Sequence, residues 1–92
     1  MQVQYFGSVR AAAQKAEERA ALSGQISVLE LLRRLAGFYG AAFSGEVFAG
    51  EALRDDLSVA VNGVTMRHAA AEETFLRPGD VLALFPLFPG GG

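Results

Sequence analysis

A chain of 92 residues that is 51% hydrophobic, carries a formal net charge of −2 and contains no cysteine has room for one domain with one core. The lack of cysteine excludes disulfides, a thiolate nucleophile and cysteine-ligated metal sites, and the negative charge argues against a nucleic-acid partner. No uncharged run approaches the roughly 18 apolar residues of a membrane-spanning helix and the first residues lack a signal-peptide pattern, so we expect a cytoplasmic protein without a membrane partner.

The first predicted element is a β-strand over residues 3–9. Val3 and Tyr5 alternate with glutamines, which is the period of a half-buried strand. Phe6 breaks this alternation and is expected to point to the opposite face of the strand. Gly7 then marks a bend or a bulge.

Two short segments follow this strand. Residues 10–16 are rich in alanine and predict one or two helical turns. Residues 17–22 fit either an extension of that helix or a second strand, antiparallel to the first. We favour the strand, because Ser23-Gly24 is then the turn that ends it.

The clearest local signal is a helix over residues 27–39. Ser27 and Glu30 predict a capping box, in which the Ser27 hydroxyl accepts from a first-turn N–H and Glu30 reaches back to the Ser27 N–H. Gly40 supplies the C-terminal stop. Helical spacing places six apolar residues on one side, which must pack on a single surface: Val28, Leu29, Leu32, Leu35, Ala36 and Tyr39.

Residues 41–56 predict a loop, because Ser44-Gly45 and Ala49-Gly50 are turn-forming pairs. Four apolar residues are expected to anchor this loop to the core: Phe43, Val47, Phe48 and Leu53.

The second half of the chain predicts a hairpin. Residues 57–61 form one strand, residues 64–66 form the return strand, and Asn62-Gly63 between them is a strong hairpin-turn signal. Residues 68–74 are expected to be irregular or a single helical turn.

The last predicted strand, residues 81–85, is almost wholly apolar and follows a turn with Pro78 and Gly79 in type II positions. The sequence therefore predicts an α+β fold with a mixed sheet of about four to five strands and one main helix packed across one face. The first and last strands are expected to lie side by side in the centre. The predicted core contains Val28, Leu29, Leu32, Leu35, Val59, Val61, Val81 and Leu84.

Residues 1–92 are predicted to form a single domain, with residues 86–92 as a flexible C-terminal tail ending in Gly90, Gly91 and Gly92. One interpretation of the glycines is a frayed end or a cloning remnant. The other is that a partner threads this end into a narrow channel, where the backbone carboxylate of Gly92 reacts and any Cβ would obstruct the approach.

Several motifs together resemble the MoaD/ThiS sulfur carriers, a ubiquitin-like β-grasp family that includes the small subunit of molybdopterin synthase. They are the opening Tyr5-Phe6-Gly7-Ser8-Val9-Arg10, the Val61-Asn62-Gly63 hairpin, the Pro78-Gly79-Asp80 turn, and Phe85-Pro86 leading into the glycines. Each motif is weak alone, but their order and spacing cover nearly the whole chain.

The resemblance implies that the chain has no active site of its own and binds no cofactor. An adenylyltransferase of the ubiquitin-activating type would use ATP to adenylate the terminal carboxylate, and a sulfur donor would convert it to a thiocarboxylate. The carrier would then deliver its sulfur inside a partner, such as the large subunit of molybdopterin synthase or an equivalent sulfur acceptor enzyme.

The same resemblance assigns the reactive group to Gly92 and the channel-threading segment to Gly90 and Gly91. It also implies a docking surface that includes Phe6 and Phe85, and the apolar Leu87 and Phe88 at the start of the tail are expected to extend it. One departure is that this chain ends in three glycines where the family has two. Either the C-terminal tail of this chain differs in reach from the tails of the family, or the last glycine is removed by proteolysis.

Alternatives remain open for residues and function alike. Phe6 and Phe85 could be ordinary core residues. His68 is interpreted as a surface loop residue without metal partners, and Asp55-Asp56 as part of a solvated face or a turn. The chain could instead be a ubiquitin-like modifier, a sulfur carrier for thiamine, tRNA thiolation or cysteine, or a non-covalent interaction module.

Overall fold

The computed structural model describes residues 1–87. The elements in chain order are β1 (Gln2–Tyr5), α1 (Gly7–Ala13), β2 (Glu17–Arg19), β3 (Ile26–Ser27), α2 (Val28–Tyr39), α3 (Ala41–Val47), β4 (Phe48–Ala49), β5 (Ala52–Leu53), β6 (Leu57–Val61), β7 (Val64–Met66), a 3-10 turn (His68–Ala70), β8 (Phe75–Leu76) and β9 (Val81–Pro86).

The main sheet has five strands in the order β2-β1-β9-β6-β7. Strands β1 and β9 are parallel, with Val3 opposite Leu82, and the other neighbours are antiparallel. The predicted central position of the first and last strands is therefore confirmed. Two short ladders, β3-β8 and β4-β5, lie outside the main sheet.

Helix α2 begins as the sequence predicts. Ser27 Oγ accepts from the Glu30 N–H at 3.1 Å, and the helix ends at Gly40, whose φ is 95°. The second half of the predicted capping box is not found within residues 1–87. The Glu30 carboxylate instead accepts a hydrogen bond from Arg34 Nε at 3.2 Å, one turn further along the helix.

The core lies between α2 and one face of the sheet. Of the eight predicted core residues, Val28, Leu32, Val59 and Leu84 are buried, and the other four are only partly buried: Leu29, Leu35, Val61 and Val81. Leu31, which the prediction omitted, is buried. The buried side of α2 is therefore centred on Val28, Leu31 and Leu32, which have i, i+3, i+4 spacing. Leu29 and Leu35 lie at the borders of this side and are only partly buried.

The predicted opening strand is too long. Strand β1 ends at Tyr5, and residues 7–13 form a helix that begins earlier than the predicted turns. Gly7 has a φ of 56°, which turns the chain out of the strand. Val9 and Ala13 are then buried on one side of α1, at i, i+4 spacing. The favoured strand after this helix is confirmed, because β2 pairs antiparallel with β1.

The predicted loop over residues 41–56 is also wrong. It contains helix α3 and the β4-β5 hairpin. Phe43 and Val47 are buried at i, i+4 spacing, as they must be on one side of a helix, and Leu53 is buried in β5. The sequence correctly identified the apolar residues that hold this segment to the core. It did not predict the helix, because the glycines between these residues are typical of turns and obscured the helical spacing.

The hairpin between β6 and β7 is confirmed. Asn62 and Gly63 both have positive φ, 51° and 82°, as a type I′ turn requires. The Asn62 side chain also ties this turn to the one before β9. Its Oδ1 accepts from the Val81 N–H at 2.9 Å, and its Nδ2 donates to Asp80 Oδ1 at 3.1 Å.

None of the helices found in residues 1–87 is long and apolar enough to cross a membrane.

Candidate functional site

The root of the predicted tail is held against the sheet. In the β9–β6 ladder, Phe85 lies opposite Ser58 and Pro86 lies opposite Leu57. The Leu87 N–H then donates to the Asp56 carbonyl oxygen at 2.6 Å. Pro86, assigned to the tail from sequence, is therefore the final residue of β9. Leu87 is the last described residue, and the remaining residues of the predicted tail lie outside the described residues: Phe88, Pro89, Gly90, Gly91 and Gly92.

Phe6 and Phe85 meet beside this root. Their rings stack with centroids 4.4 Å apart and planes 12° apart. Phe6 is 40% exposed and Phe85 is partly buried, so neither ring belongs to the buried core. The Phe6 N–H donates to the Leu84 carbonyl at 3.1 Å, which fixes the end of β1 against β9. The sequence-based alternative of an ordinary core role for these rings is therefore excluded.

Leu87 adds to the apolar surface at the root, since its side chain is 52% exposed. We call Phe6, Phe85 and Leu87 together the root patch. Beyond it, Ala60 and Ala83 lie opposite each other on the face of the sheet that points away from the core.

Gly7 contacts the root from the other side. A Cβ placed on Gly7 would lie 2.5 Å from Pro86 Cγ, which no real pair of carbon atoms tolerates. The positive φ of Gly7 disfavours a side chain as well. The sequence indicated a bend at this glycine, but the contact with Pro86 joins residues from opposite ends of the chain and left no local signal.

An ion pair supports the carbonyl that holds Leu87. Arg54 donates to both carboxylate oxygens of Asp56, from Nε at 2.9 Å and from Nη2 at 3.1 Å. Its Nη1 donates to the Gly45 carbonyl of α3 at 3.3 Å. The hydrogen bonds from Arg54 hold the pKa of the Asp56 carboxyl below its usual range. Asp55 and Asp56 lie in a turn, which is one of the two interpretations from the sequence, and only the folded chain shows that Arg54 is the partner of Asp56.

A second polar cluster lies at the β2 edge of the sheet. The hydroxyls of Tyr5 and Tyr39 both donate to Glu18, and Lys15 Nζ lies 3.6 Å from the same carboxylate. Burial, followed by the bond to Glu18, raises the pKa of Tyr5 far above its ordinary value. Partial burial alone would raise the pKa of Glu18, but the hydrogen bonds from Tyr39 and Tyr5 outweigh it and lower that pKa. This cluster ties β2 to β1 and α2, and its role is structural.

His68, which the sequence suggested to be a surface loop residue, lies in the 3-10 turn. It is partly buried, and its Nε2 lies 2.6 Å from the Leu57 carbonyl oxygen, so this nitrogen carries the proton and donates. Within the described part of the chain, no three His, Asp or Glu side chains converge in a way that could hold a metal ion.

Solved structures with the same fold include three informative relatives. SAMP1, a small archaeal modifier protein of Haloferax volcanii, is 27% identical with a TM-score of 0.78, over 99% of this chain and 98% of that one. A putative molybdopterin converting factor subunit 1 of Pyrococcus furiosus is 30% identical with a TM-score of 0.72, over 95% of each chain. A chain of the BexX/CysO complex of Amycolatopsis orientalis is 22% identical with a TM-score of 0.75, over 98% of each chain, and shows the fold alone.

These neighbours confirm the predicted ubiquitin-like β-grasp fold. No curated protein sequence matches the chain significantly. The family model of the ThiS family matches residues 3–91, almost the full length of the sequence. The resemblance indicated by the opening strand, the hairpin, the turn and the glycines is thereby confirmed, and the chain belongs to the ThiS family.

Proposed function

We propose that this protein is a sulfur carrier that holds sulfur as a thiocarboxylate on Gly92. The observation that carries the proposal is the family match, which extends from residue 3 to residue 91 and so includes the start of the glycine run. The root patch supports it, because exposed apolar residues beside the last strand suit the docking of an enzyme that must receive the following residues.

The chemistry follows from the weak reactivity of a carboxylate. A carboxylate oxygen of Gly92 attacks the α-phosphorus of ATP in the activating enzyme, and pyrophosphate leaves. A sulfur nucleophile then attacks the carbonyl carbon of the acyl-adenylate, and AMP leaves. The chain itself contributes the carboxylate, the access that glycines give by lacking Cβ atoms, and a docking surface. Because it has no cysteine, it offers no thiol at which sulfur could be held instead.

The proposed partners are an adenylyltransferase of the ubiquitin-activating type and a sulfur acceptor enzyme. We assign the acceptor to molybdopterin synthesis, with the large subunit of molybdopterin synthase as the partner. This assignment is supported by the 30% identity to the Pyrococcus furiosus molybdopterin converting factor subunit. Both partners are expected to cover the root patch, of which Phe6 and Phe85 form the stacked centre, together with Phe88.

A second candidate is a protein modifier, which the 27% identity to SAMP1 favours. The two functions share the activated carboxylate and differ in the acceptor, which is a sulfur acceptor in one case and an amine of a target protein in the other. Self-linked chains are disfavoured here, because Lys15 is the only lysine. Its ammonium group lies 3.6 Å from Glu18 and sits over the Tyr39 ring, 5.5 Å from the centroid.

Intact mass spectrometry tests the proposal. The purified protein is incubated with the adenylyltransferase of its own organism, ATP and sulfide, and we expect a species about 16 Da heavier, from replacement of one oxygen by sulfur. Reactions without ATP serve as the control, and the unreacted mass shows whether Gly92 is the end of the mature protein. The proposal would be refuted if the mass of this protein stays unchanged although the same enzyme preparation is shown to be active on a known carrier protein.

A second assay separates the two candidates. The thiocarboxylated protein is mixed with the large subunit of molybdopterin synthase and its precursor substrate, and in parallel with a lysate and ATP. Molybdopterin formation at a rate that consumes the thiocarboxylate supports the carrier. Covalent conjugates on denaturing gels, without molybdopterin formation, would identify a modifier.

A further inference from the structure

Pro86 and Leu87, at the end of β9, lie between two supports that come from distant parts of the sequence. On one side, the Leu87 N–H donates to the Asp56 carbonyl at 2.6 Å. On the other side, the Pro86 ring lies so close to Gly7 that a Cβ there would be 2.5 Å from Pro86 Cγ. The exit of the chain at Leu87 is thus fixed by contacts on both sides, and neither support belongs to the root patch.

We propose that Gly7 and Arg54 are positioning residues that fix Pro86 and Leu87 and thereby set the point from which the residues leading to the reactive carboxylate begin. This inference rests on the proposed function, because it assigns the two residues a role in presenting Gly92 to the activating enzyme. Gly7 acts through Pro86, and Arg54 acts through Asp56. Neither needs to contact the substrate.

The ion pair between Arg54 and Asp56 fixes the position of Asp56, whose backbone carbonyl accepts the hydrogen bond from the Leu87 N–H. Arg54 binds the Asp56 carboxylate through two nitrogens, donates to the Gly45 carbonyl, and receives the Leu57 N–H on its own carbonyl at 3.1 Å. The segment before β6 is therefore braced against α3. Both side chains of the pair are partly exposed. Exposed ion pairs add little to the stability of the fold, so the effect of this pair should be local.

Gly7 supports the proline by leaving room for it. Ordinary contact with a Cβ begins at 3.4 Å, so the Pro86 ring would have to retreat by about 0.9 Å to accommodate an alanine. The same alanine would have to adopt a φ of 56°, which side chains disfavour. Either response moves the point from which residues 88–92 start.

The supports matter because they fix the position from which residues 88–92 continue. Five residues span at most about 16–18 Å as an extended chain, whereas seven residues span about 23–25 Å, so release of Pro86 and Leu87 would widen the range of positions that the chemistry must select from. Every additional residue that is not held must be ordered when the partner binds. A misplacement of about 1 Å can reduce the rate of a positioned reaction by roughly a hundredfold.

The experiment measures steady-state adenylation by ATP–pyrophosphate exchange, with the adenylyltransferase of the same organism. Arg54→Gln and Gly7→Ala are the test variants. Arg34→Gln is the matched control for loss of an exposed arginine ion pair, and Gly37→Ala is the matched control for an added methyl, because a Cβ at Gly37 would meet no atom within 4 Å.

We expect kcat to fall about tenfold or more in both test variants while KM changes less than about threefold, because the substitutions remove no side chain of the root patch and act mainly on the approach. Both controls should match the wild type. Pro86→Ala in the Gly7→Ala background should restore part of kcat, since it removes the ring atom that the new methyl would strike. A purely structural role would instead lower the melting temperature and the active fraction, with kcat per folded molecule unchanged.

Amide hydrogen exchange on the isolated protein measures independently how firmly the Leu87 N–H is held. Arg54→Gln should reduce the protection of the Leu87 N–H by about tenfold and leave core amides such as that of Val59 unchanged. The inference is overturned if Leu87 keeps its protection, or if kcat of both test variants stays within about twofold of wild type. A wild-type protein that is never adenylated would refute the proposed function, and the exchange measurement would still decide whether Arg54 holds the exit.

Discussion

Leu32 offers a sharp test of the core, because another leucine three residues along the same helix is an internal control. Leu32 has no exposed surface and lies in the middle of the buried side of α2, whereas Leu35 is only partly buried. Truncation to alanine removes the same atoms at both positions and leaves the helix propensity nearly unchanged. The two substitutions therefore differ mainly in the burial of the atoms that are removed.

The expected magnitudes follow from that difference. Leu32→Ala loses about 2.4 kcal/mol from three buried methylene equivalents, at about 0.8 kcal/mol each. A cavity term raises the total to about 3–5 kcal/mol, because a site enclosed by β-sheet residues cannot collapse fully. Leu35→Ala should cost about 1–2 kcal/mol, since part of the removed area already contacts water. A domain of this size is expected to have only about 5–14 kcal/mol of total stability, so the larger loss will be easy to detect.

Urea denaturation followed by circular dichroism measures both values. The midpoint should fall for both variants with an unchanged slope, and the fall should be clearly larger for Leu32→Ala, in proportion to the larger loss of free energy. Equal losses at the two positions, or a loss below about 1 kcal/mol at Leu32, would contradict the placement of α2 on the sheet.

Three further predictions concern pH, docking and the terminal carboxylate. The pKa of Glu18 in the folded protein is below its ordinary value of 4.5, so its contribution to stability is present above pH 4.5 and is lost as the pH falls through the lowered pKa. Between about pH 6 and pH 3, the free energy of unfolding should therefore drop more in the wild type than in Glu18→Gln. Equal drops in urea titrations of the two proteins would contradict this prediction. Leu87→Ala should weaken binding to the adenylyltransferase about tenfold by calorimetry with little change in melting temperature, whereas parallel losses would make Leu87 a folding residue. Deletion of Gly91 and Gly92 should change the free energy of unfolding by less than about 0.5 kcal/mol. The deletion should nevertheless abolish adenylation, because the chain is shortened by about 7 Å when extended. Undiminished adenylation would exclude the carboxylate of Gly92 as the reactive group.

The features of the fold that could be predicted from sequence are those with local causes. Ser27 caps α2 through an N–H three residues away, and Asn62-Gly63 forms its turn through its own backbone angles. Helix α3 was missed because Gly45 interrupts its apolar pattern, although Phe43 and Val47 carried the helical spacing. A glycine-containing segment can still be helical when two well-placed side chains are buried, because tertiary packing outweighs propensity.

The candidate site was predictable only in part, for the same reason. Phe6 and Phe85 were identified through a family motif, and the fold brings their rings together. The support from Asp56 could not be predicted, because the atom that contacts Leu87 is a backbone carbonyl, which has no residue-type signature. The close approach of Gly7 to Pro86 joins positions separated by most of the chain, and a glycine in the sequence predicts a bend without indicating what packs against it.

The pairing of β1 with β9 has a consequence for synthesis of the protein in the cell. The ladder joins Gln2 to Val81, so the sheet gains its central strand only after nearly all of the chain has been translated. Until then, β1 and β6 lack the strand that lies between them, and the backbone groups along one edge of each remain unpaired. Such long-range pairing slows folding and exposes nascent chains to aggregation. Ribosomal pausing or premature termination before Val81 should therefore yield fragments that cannot close the sheet and that proteases remove.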